Sequence, residues 1–292
     1  MDAQGEFRFH ALLIGIDDYG DNSLTGCVAD IDDIATFLTE RLRVPPGCIR
    51  KLVAPAQDCG RSIISNEQAP THAGIIAALR TLASDAVQEG DRVFIYYSGH
   101  GSFVRSPEAQ AYHEGLVPMD YQQSGLLFDF ELNRLLQAIA QRSHDLTCIL
   151  DCCHSAGATR ELLAQRVTGR TRFLPTECIP THRGILEQRE PRMIVEVQSA
   201  TQAVGPQAYT VVAACHADER AKECRLPVED GRSHGVLSYC LLDILQRVEV
   251  DRLHKLRWGE IWESLKAAVQ VLNPLQRPQI LGPRERRIFD GP

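Results

Sequence analysis

No apolar run in the chain approaches the roughly 18 residues needed to cross a bilayer. That argues against a helical membrane span, and no membrane partner is expected. The start, Met1-Asp2-Ala3-Gln4-Gly5-Glu6, lacks the basic and apolar regions of a secretory leader, so a cytoplasmic protein is expected. A basic excess is missing too. With 38 acidic and 31 basic residues the net charge is −7, which argues against nucleic acid as the main partner. A basic peptide suits that balance mildly, although solubility alone would account for it. The ten cysteines include no CxxC pair and no Cys/His cluster with zinc spacing. They are not arranged like a small secreted disulfide framework, and a chain of 292 residues can build a core without one. Most are expected to be buried thiols in a reducing cytosol. There is no internal repeat and no low-complexity tail.

What is present is ordinary for a soluble globular protein: 44% hydrophobic and 24% charged residues. Short apolar strands at His10 to Ile16, Ile49 to Val53, Arg92 to Tyr97, Leu146 to Leu150 and Tyr209 to Cys215 alternate with segments of helical periodicity. The periodic segments are residues 28–43, the stretch after Thr71, the stretch after Asp129, 236–248 and 261–272. Thr71 and Asp129 are expected helix caps. Residues 102–127 read as a hairpin and loop without a clear helix, Met193 to Val197 as an extra strand, and Gln279 to Leu281 as an edge strand between prolines. This alternation predicts an α/β fold with a mostly parallel sheet and helices on both faces.

Chemistry is expected at the carboxyl ends of the strands. The strand Leu146 to Leu150 runs into Asp151-Cys152-Cys153-His154-Ser155-Ala156-Gly157. Side chains alternate along a strand, so Asp151 and Cys153 share one face and Cys152 takes the other. Cys153 is therefore the candidate nucleophile and Cys152 a small buried hydrophobe. A thiol needs a base, and Tyr97-Ser98-Gly99-His100-Gly101 ends a second apolar strand about fifty residues earlier. If the two strands are parallel neighbours, His100 and Cys153 meet at one sheet edge. A strand-end cysteine taken alone is more often a core residue than a nucleophile; the pair of motifs carries the reading.

These two motifs resemble the histidine and cysteine motifs of caspase-like cysteine peptidases, closest to the metacaspase and prokaryotic caspase-homologue (orthocaspase) branch. Ala11 to Ile16, Leu24 to Asp30, Val117 to Tyr121 and Val211 to Cys215 extend the resemblance toward both ends. It implies a three-layer αβα sandwich in a single peptidase domain over residues 1–292. Residues 1–157 would be the large-subunit-like part with the Cys/His dyad, 158–207 a linker, and 208–292 the small-subunit-like part. It further implies that Cys27, Asp30, Ser98 and Asp151 line a pocket for a basic residue; for a Cys–His peptidase, backbone amides near Gly101 and Cys153 are expected to hold the oxyanion. Buried acid is what a guanidinium or ammonium group needs. Read without the family, Asp30 could simply favour a helix N-terminus and Asp151 could hold a loop. Cleavage after Arg, then Lys, is expected, on protein or peptide substrates and by a monomer.

Many metacaspases need calcium, which takes six to eight oxygens. Asp129 fits one position of the expected cluster, but Phe130 and Arg160 stand where acids are expected, and His113 and Glu114 fall near a third position. No cofactor, and no calcium requirement, is expected. The stretch 158–191 is long, irregular and rich in arginine. Arg160, Arg166, Arg170, Arg172, Arg183 and Arg189 are candidate sites at which the protein itself, or an upstream protease, would cut a zymogen. A role in stress, cell death or defence is implied by the family alone. Two rival functions compete with a peptidase. A catalytically silent scaffold has no need of an intact dyad and pocket. A redox protein using Cys152-Cys153 would need a strained disulfide between adjacent residues.

Overall fold

The computed structural model describes residues 8–56, 67–105, 112–153, 169–180, 209–216, 219–227 and 231–289. The seven-stranded central sheet has the order β13-β10-β8-β4-β1-β2-β3. Its strands are β1 (Phe9–Ile16), β2 (Ile49–Ala54), β3 (Glu67–Gln68), β4 (Arg92–Ser98), β8 (Asp145–Asp151), β10 (Thr210–Ala213) and β13 (Gln279–Leu281). All neighbours are parallel except the antiparallel edge strand β13. Two small three-stranded sheets flank it. One is β5 (Gly101–Arg105), β6 (Tyr112–Leu116) and β7 (Leu127–Phe128); the other is β9 (Arg170–Thr171), β11 (Lys222–Leu226) and β12 (Arg232–Gly235).

Strand parity divides the core in two. Leu13, Phe94, Tyr96, Ile149 and Val212 face one layer, formed by α1 (Cys27–Glu40), α5 (Val236–Gln246) and α7 (Trp258–Leu272). Leu12, Ile14, Val93, Ile95, Tyr97, Cys148 and Leu150 face the other, formed by α2 (His72–Leu82) and α4 (Asp129–Ala140). Strands buried on both faces read as continuous apolar runs, which is why they were visible in the sequence. The result is the expected three-layer αβα sandwich with a mostly parallel sheet. Two one-turn helices complete the described set: α3 (Tyr121–Ser124) and α6 (Val250–Leu253).

Thr71 caps α2 as expected, its hydroxyl accepting the Gly74 N–H at 3.0 Å. Asp129 is not a cap: it is the first residue of α4, whose N-cap is Phe128. There Glu131 reaches back to accept the Phe128 N–H at 3.2 Å, so an acid further into the first turn satisfies the helix start instead. The hairpin expected in 102–127 is β5 and β6, with α3 as an unforeseen helical turn. Met193 to Val197 lie outside the described residues. No described helix is long and apolar enough to cross a membrane.

Candidate active site

The last register pair between β4 and β8 is Ser98 with Asp151. His100 and Cys153 each lie two residues beyond it, at the same edge. Cys153 packs with the layer that includes Ile149, whereas Cys152 packs with Cys148 and Leu150, as strand parity requires. Gly101 lets the two strand ends touch: a Cβ there would stand 1.7 Å from the Cys153 carbonyl oxygen.

The cleft between them is filled by the chain itself. The Arg172 carbonyl accepts two backbone N–H groups, from Gly101 and from Cys153, each at 3.1 Å. The Arg172 N–H donates to the Ala221 carbonyl at 3.0 Å, and β9, just before it, pairs antiparallel with β11. Residues 170–171 thus add a strand to the β11–β12 hairpin, and Arg172 follows it across the strand ends of the central sheet. An extended peptide held by main-chain bonds on an exposed edge is a recurring mode of peptide recognition.

The Arg172 side chain is fully buried in an acidic pocket. One terminal nitrogen donates to the Ser98 hydroxyl at 2.8 Å and the Asp151 carbonyl at 3.2 Å, and lies 3.1 Å from the Asp151 carboxylate. The other donates to Asp30 at 2.7 Å and lies 3.8 Å from Glu223. Asp30 also receives His234 at 3.0 Å and the Gly235 N–H, and Asp151 receives the Ser238 N–H at 3.0 Å. The two acids divide in character. Burial would raise both, but for Asp30 the charge of Arg172 and the contact with His234 prevail and hold it below the usual carboxylate range. For Asp151, burial prevails over Arg172, and the like charge of Asp30 adds to it, so its pKa is raised. Gly235 closes the pocket: a Cβ there would lie 2.1 Å from Asp151 and 2.2 Å from the guanidinium.

His100 is buried, with its Nε2 2.8 Å from the Asn22 carbonyl. A carbonyl only accepts, so Nε2 carries the proton and Nδ1 keeps a lone pair. Nδ1 is buried without a hydrogen-bond partner. Burial pushes this imidazole down to about 4, leaving it neutral at pH 7. The Cys153 sulfur accepts the Ala221 N–H at 2.9 Å and lies 3.4 Å from the Ala221 carbonyl.

Residues 10–161 match the family described as Metacaspase, peptidase C14 domain, more than half of the 292 residues. This chain belongs to that metacaspase family. It is 36% identical over 152 residues to Metacaspase-1 of Mycosarcoma maydis, a match taking in 51% of this chain and 36% of that protein. It is 36% identical over 157 residues to Metacaspase-1B of Aspergillus oryzae, taking in 52% of this chain and 35% of that one. The chain therefore matches about a third of the length of these relatives. Protein GSU0716 from Geobacter sulfurreducens has the same fold, with a TM-score of 0.64 at 21% identity, covering 97% of this chain and 98% of that one.

Three of the four candidate pocket residues of this metacaspase lie against the Arg172 side chain, and Cys27 is not among its hydrogen-bond partners. Asp30, Ser98 and Asp151 touch the guanidinium, and the Cys27 sulfur lies within 4.8 Å of ligand atoms of Asp17 and Glu223. Asp30 is not merely an acid at a helix start, since it is fully buried. Of the six candidate processing arginines, Arg172 occupies the cleft. Arg170 is exposed and donates to the Ser23 carbonyl at 2.7 Å. Arg160, Arg166, Arg183 and Arg189 lie outside the described residues. Glu223, His234 and Ser238 were not anticipated from the sequence. They come from the β11–β12 hairpin and the start of α5, which show no motif of their own; only their acid, imidazole and hydroxyl chemistry could have marked them.

Among the described residues at the positions expected for a calcium cluster, two are acids, Glu114 and Asp129. Glu114 and Asp129 approach one another; burial, with the charge of Asp129, lifts Glu114 to about 8, and burial lifts Asp129 to about 6. Where a further acid is expected, the Phe130 ring stacks on Phe128 at 5.5 Å. Among the described residues, one group of three metal-capable side chains stands together: Asp17, Cys27 and Glu223. Its carboxylates are engaged with backbone, Asp17 accepting the Cys27 and Val28 N–H groups and Glu223 those of Thr25 and Gly26.

Proposed function

We propose that the chain is a Cys–His endopeptidase that cuts after Arg, more slowly after Lys, and that its own Arg172–Phe173 bond is its first substrate. The observation that carries this reading is Arg172 itself. Its carbonyl sits between two amide donors at the candidate nucleophile, while its guanidinium fills a pocket of three acids. A planar fork reaching Ser98, Asp151 and Asp30 together suits arginine better than the single point charge of lysine.

In this reading His100 Nδ1 takes the Cys153 proton and the sulfur bonds to the Arg172 carbonyl carbon. The negative oxygen is held by the Gly101 and Cys153 amides. Its collapse breaks the C–N bond, and the proton passes from His100 to the amine of Phe173. Water, deprotonated by His100, then releases the acyl group from sulfur. The sulfur is engaged with Ala221, so it must turn away from that loop before attack; uncut, the chain is a zymogen blocked by its own linker. A reducing cytoplasm fits the described cysteines, which are all free thiols. An upstream protease could make the same cut, and a role in stress, cell death or defence rests on family likeness.

The test is mass mapping of the purified protein with assays on Arg-, Lys- and Asp-terminated fluorogenic peptides. A cut between Arg172 and Phe173 with Arg selectivity is expected. An uncut chain inert on every peptide would instead favour a silent scaffold.

Two further results are expected. Asp30→Asn or Asp151→Asn will lower the preference for Arg over a neutral residue by about tenfold or more, because a buried cation loses a counter-charge. Comparing kcat/KM for the paired peptides checks this, and an unaltered preference in both would remove the pocket from the reading. A calcium chelator will leave the rate on an Arg peptide within about twofold, because two acids fall short of the six to eight oxygens calcium takes. A steep requirement for micromolar calcium, measured by titration, would contradict it.

A further inference from the structure

The chain beyond Arg172 is held as closely as Arg172. The Leu174 N–H donates to the Gly101 carbonyl at 3.0 Å, and the Leu174 carbonyl accepts the Ser102 hydroxyl at 2.7 Å. Phe173 bridges to Gly101 in parallel. The Phe173 ring is 5.7 Å from the ring of Phe103, and the Arg220 guanidinium stands 4.3 Å over its face. Only 9% of Phe173 is exposed.

The residues around this ring belong to the two segments that hold the other side of the bond. Gly101, an oxyanion donor, is two residues before Phe103. Ala221, which accepts the Arg172 N–H, follows Arg220 directly. The position of the ring is thus set by the same backbone that sets the position of the cut.

We infer that Phe103 and Arg220 form a subsite for an aromatic residue immediately after the cleaved bond. Preferred substrates are then polypeptides carrying Arg followed by Phe, Tyr or Trp. The inference rests on the reading of Arg172 as the residue before the cut. An aromatic ring offers its negative face to the guanidinium and its edge and area to Phe103. A basic residue in that place would set a second cation against Arg220, and alanine would leave the space unfilled. A phenylalanine that only plugged the uncut chain would impose no such choice on other substrates.

The experiment is a competition. Equimolar quenched peptides, identical except for Phe, Ala or Lys after a single Arg, are mixed with the wild-type protein, and products are counted by mass spectrometry. Product ratios equal ratios of kcat/KM, so any molecules whose cleft is still filled cancel out. The Phe peptide is expected to be cut about tenfold faster than the Ala peptide, in line with burial of a ring plus a cation contact. The Lys peptide is expected to be slowest. Phe103→Ala and Arg220→Ala should each reduce the Phe-to-Ala ratio to about threefold or less. Arg220, only partly buried, serves if the Phe103 variant fails to fold. Equal cutting of the three peptides, or an undiminished ratio in the variants, overturns the subsite. If no Arg peptide is cut whatever follows it, the underlying reading of Arg172 falls instead.

Discussion

Cys153→Ala will lower peptide hydrolysis by at least about a thousandfold and leave the chain uncut after Arg172. Removing the sulfur removes the atom that forms the covalent intermediate, and the two amide donors that remain bind the carbonyl without attacking it. Cys152→Ala is the control that separates the adjacent thiols. Cys152 faces Cys148 and Leu150 in the layer away from the cleft, and burial raises its thiol far above the ordinary range, so it is a poor nucleophile. Its loss costs packing, and most of the activity should remain. Steady-state rates on an Arg peptide and mass mapping of both variants decide the matter. The opposite pattern would make Cys152 the nucleophile.

Arg172→Gln will block the cut at this bond and destabilise the uncut chain. Asp30, Asp151 and Glu223 would lose the cation that lies among them, all three being buried. Breaking a buried ion pair by removing one partner typically costs about 3–5 kcal/mol. The loss should depend on pH with a definite sign. In the wild type, Asp30 is held below the usual carboxylate range, so its contribution is present at neutral pH and is lost only as pH falls through that lowered value. In the variant, uncompensated burial raises the pocket carboxylates, and stability is lost as pH rises. The difference in Tm between the two proteins should therefore be greatest near pH 7 and shrink on acidification. The comparison uses Cys153→Ala with and without Arg172→Gln, so that self-cleavage does not intervene. Equal Tm values across that range would show that Arg172 does not lie among these acids.

The strands, the helices and the two strand-end motifs were legible because each depends on neighbours close in the chain. Leu146 to Leu150 is buried on both faces and reads as one apolar run, and period-two alternation alone separates Cys153 from Cys152. The misplaced cap at Asp129 shows the limit of local reading: Glu131, two residues on, competes for the same helix start.

The choice among the arginines of the linker was not legible. Arg160, Arg166, Arg170, Arg172, Arg183 and Arg189 have similar surroundings in sequence, and any of them could have been the one in the pocket. Glu223 and His234 were likewise invisible, because β11 and β12 carry no periodic signal that marks a site.

Local patterning by itself determined the strands, the helices and the face that Cys153 shares with Asp151, since strand parity and helix period are short-range consequences of backbone geometry. That β4 and β8 are parallel neighbours, so that His100 and Cys153 meet at one edge, is a tertiary fact. Tertiary structure alone decided that Arg172 lies in the cleft. That outcome depends on joining Asp30 to Arg172 across 142 residues and to His234 across 204, together with the added strand at residues 170–171. Charges so far apart in the chain meet only when the sheet and its flanking hairpins are assembled, and a buried guanidinium is tolerated only where that assembly brings enough acid around it.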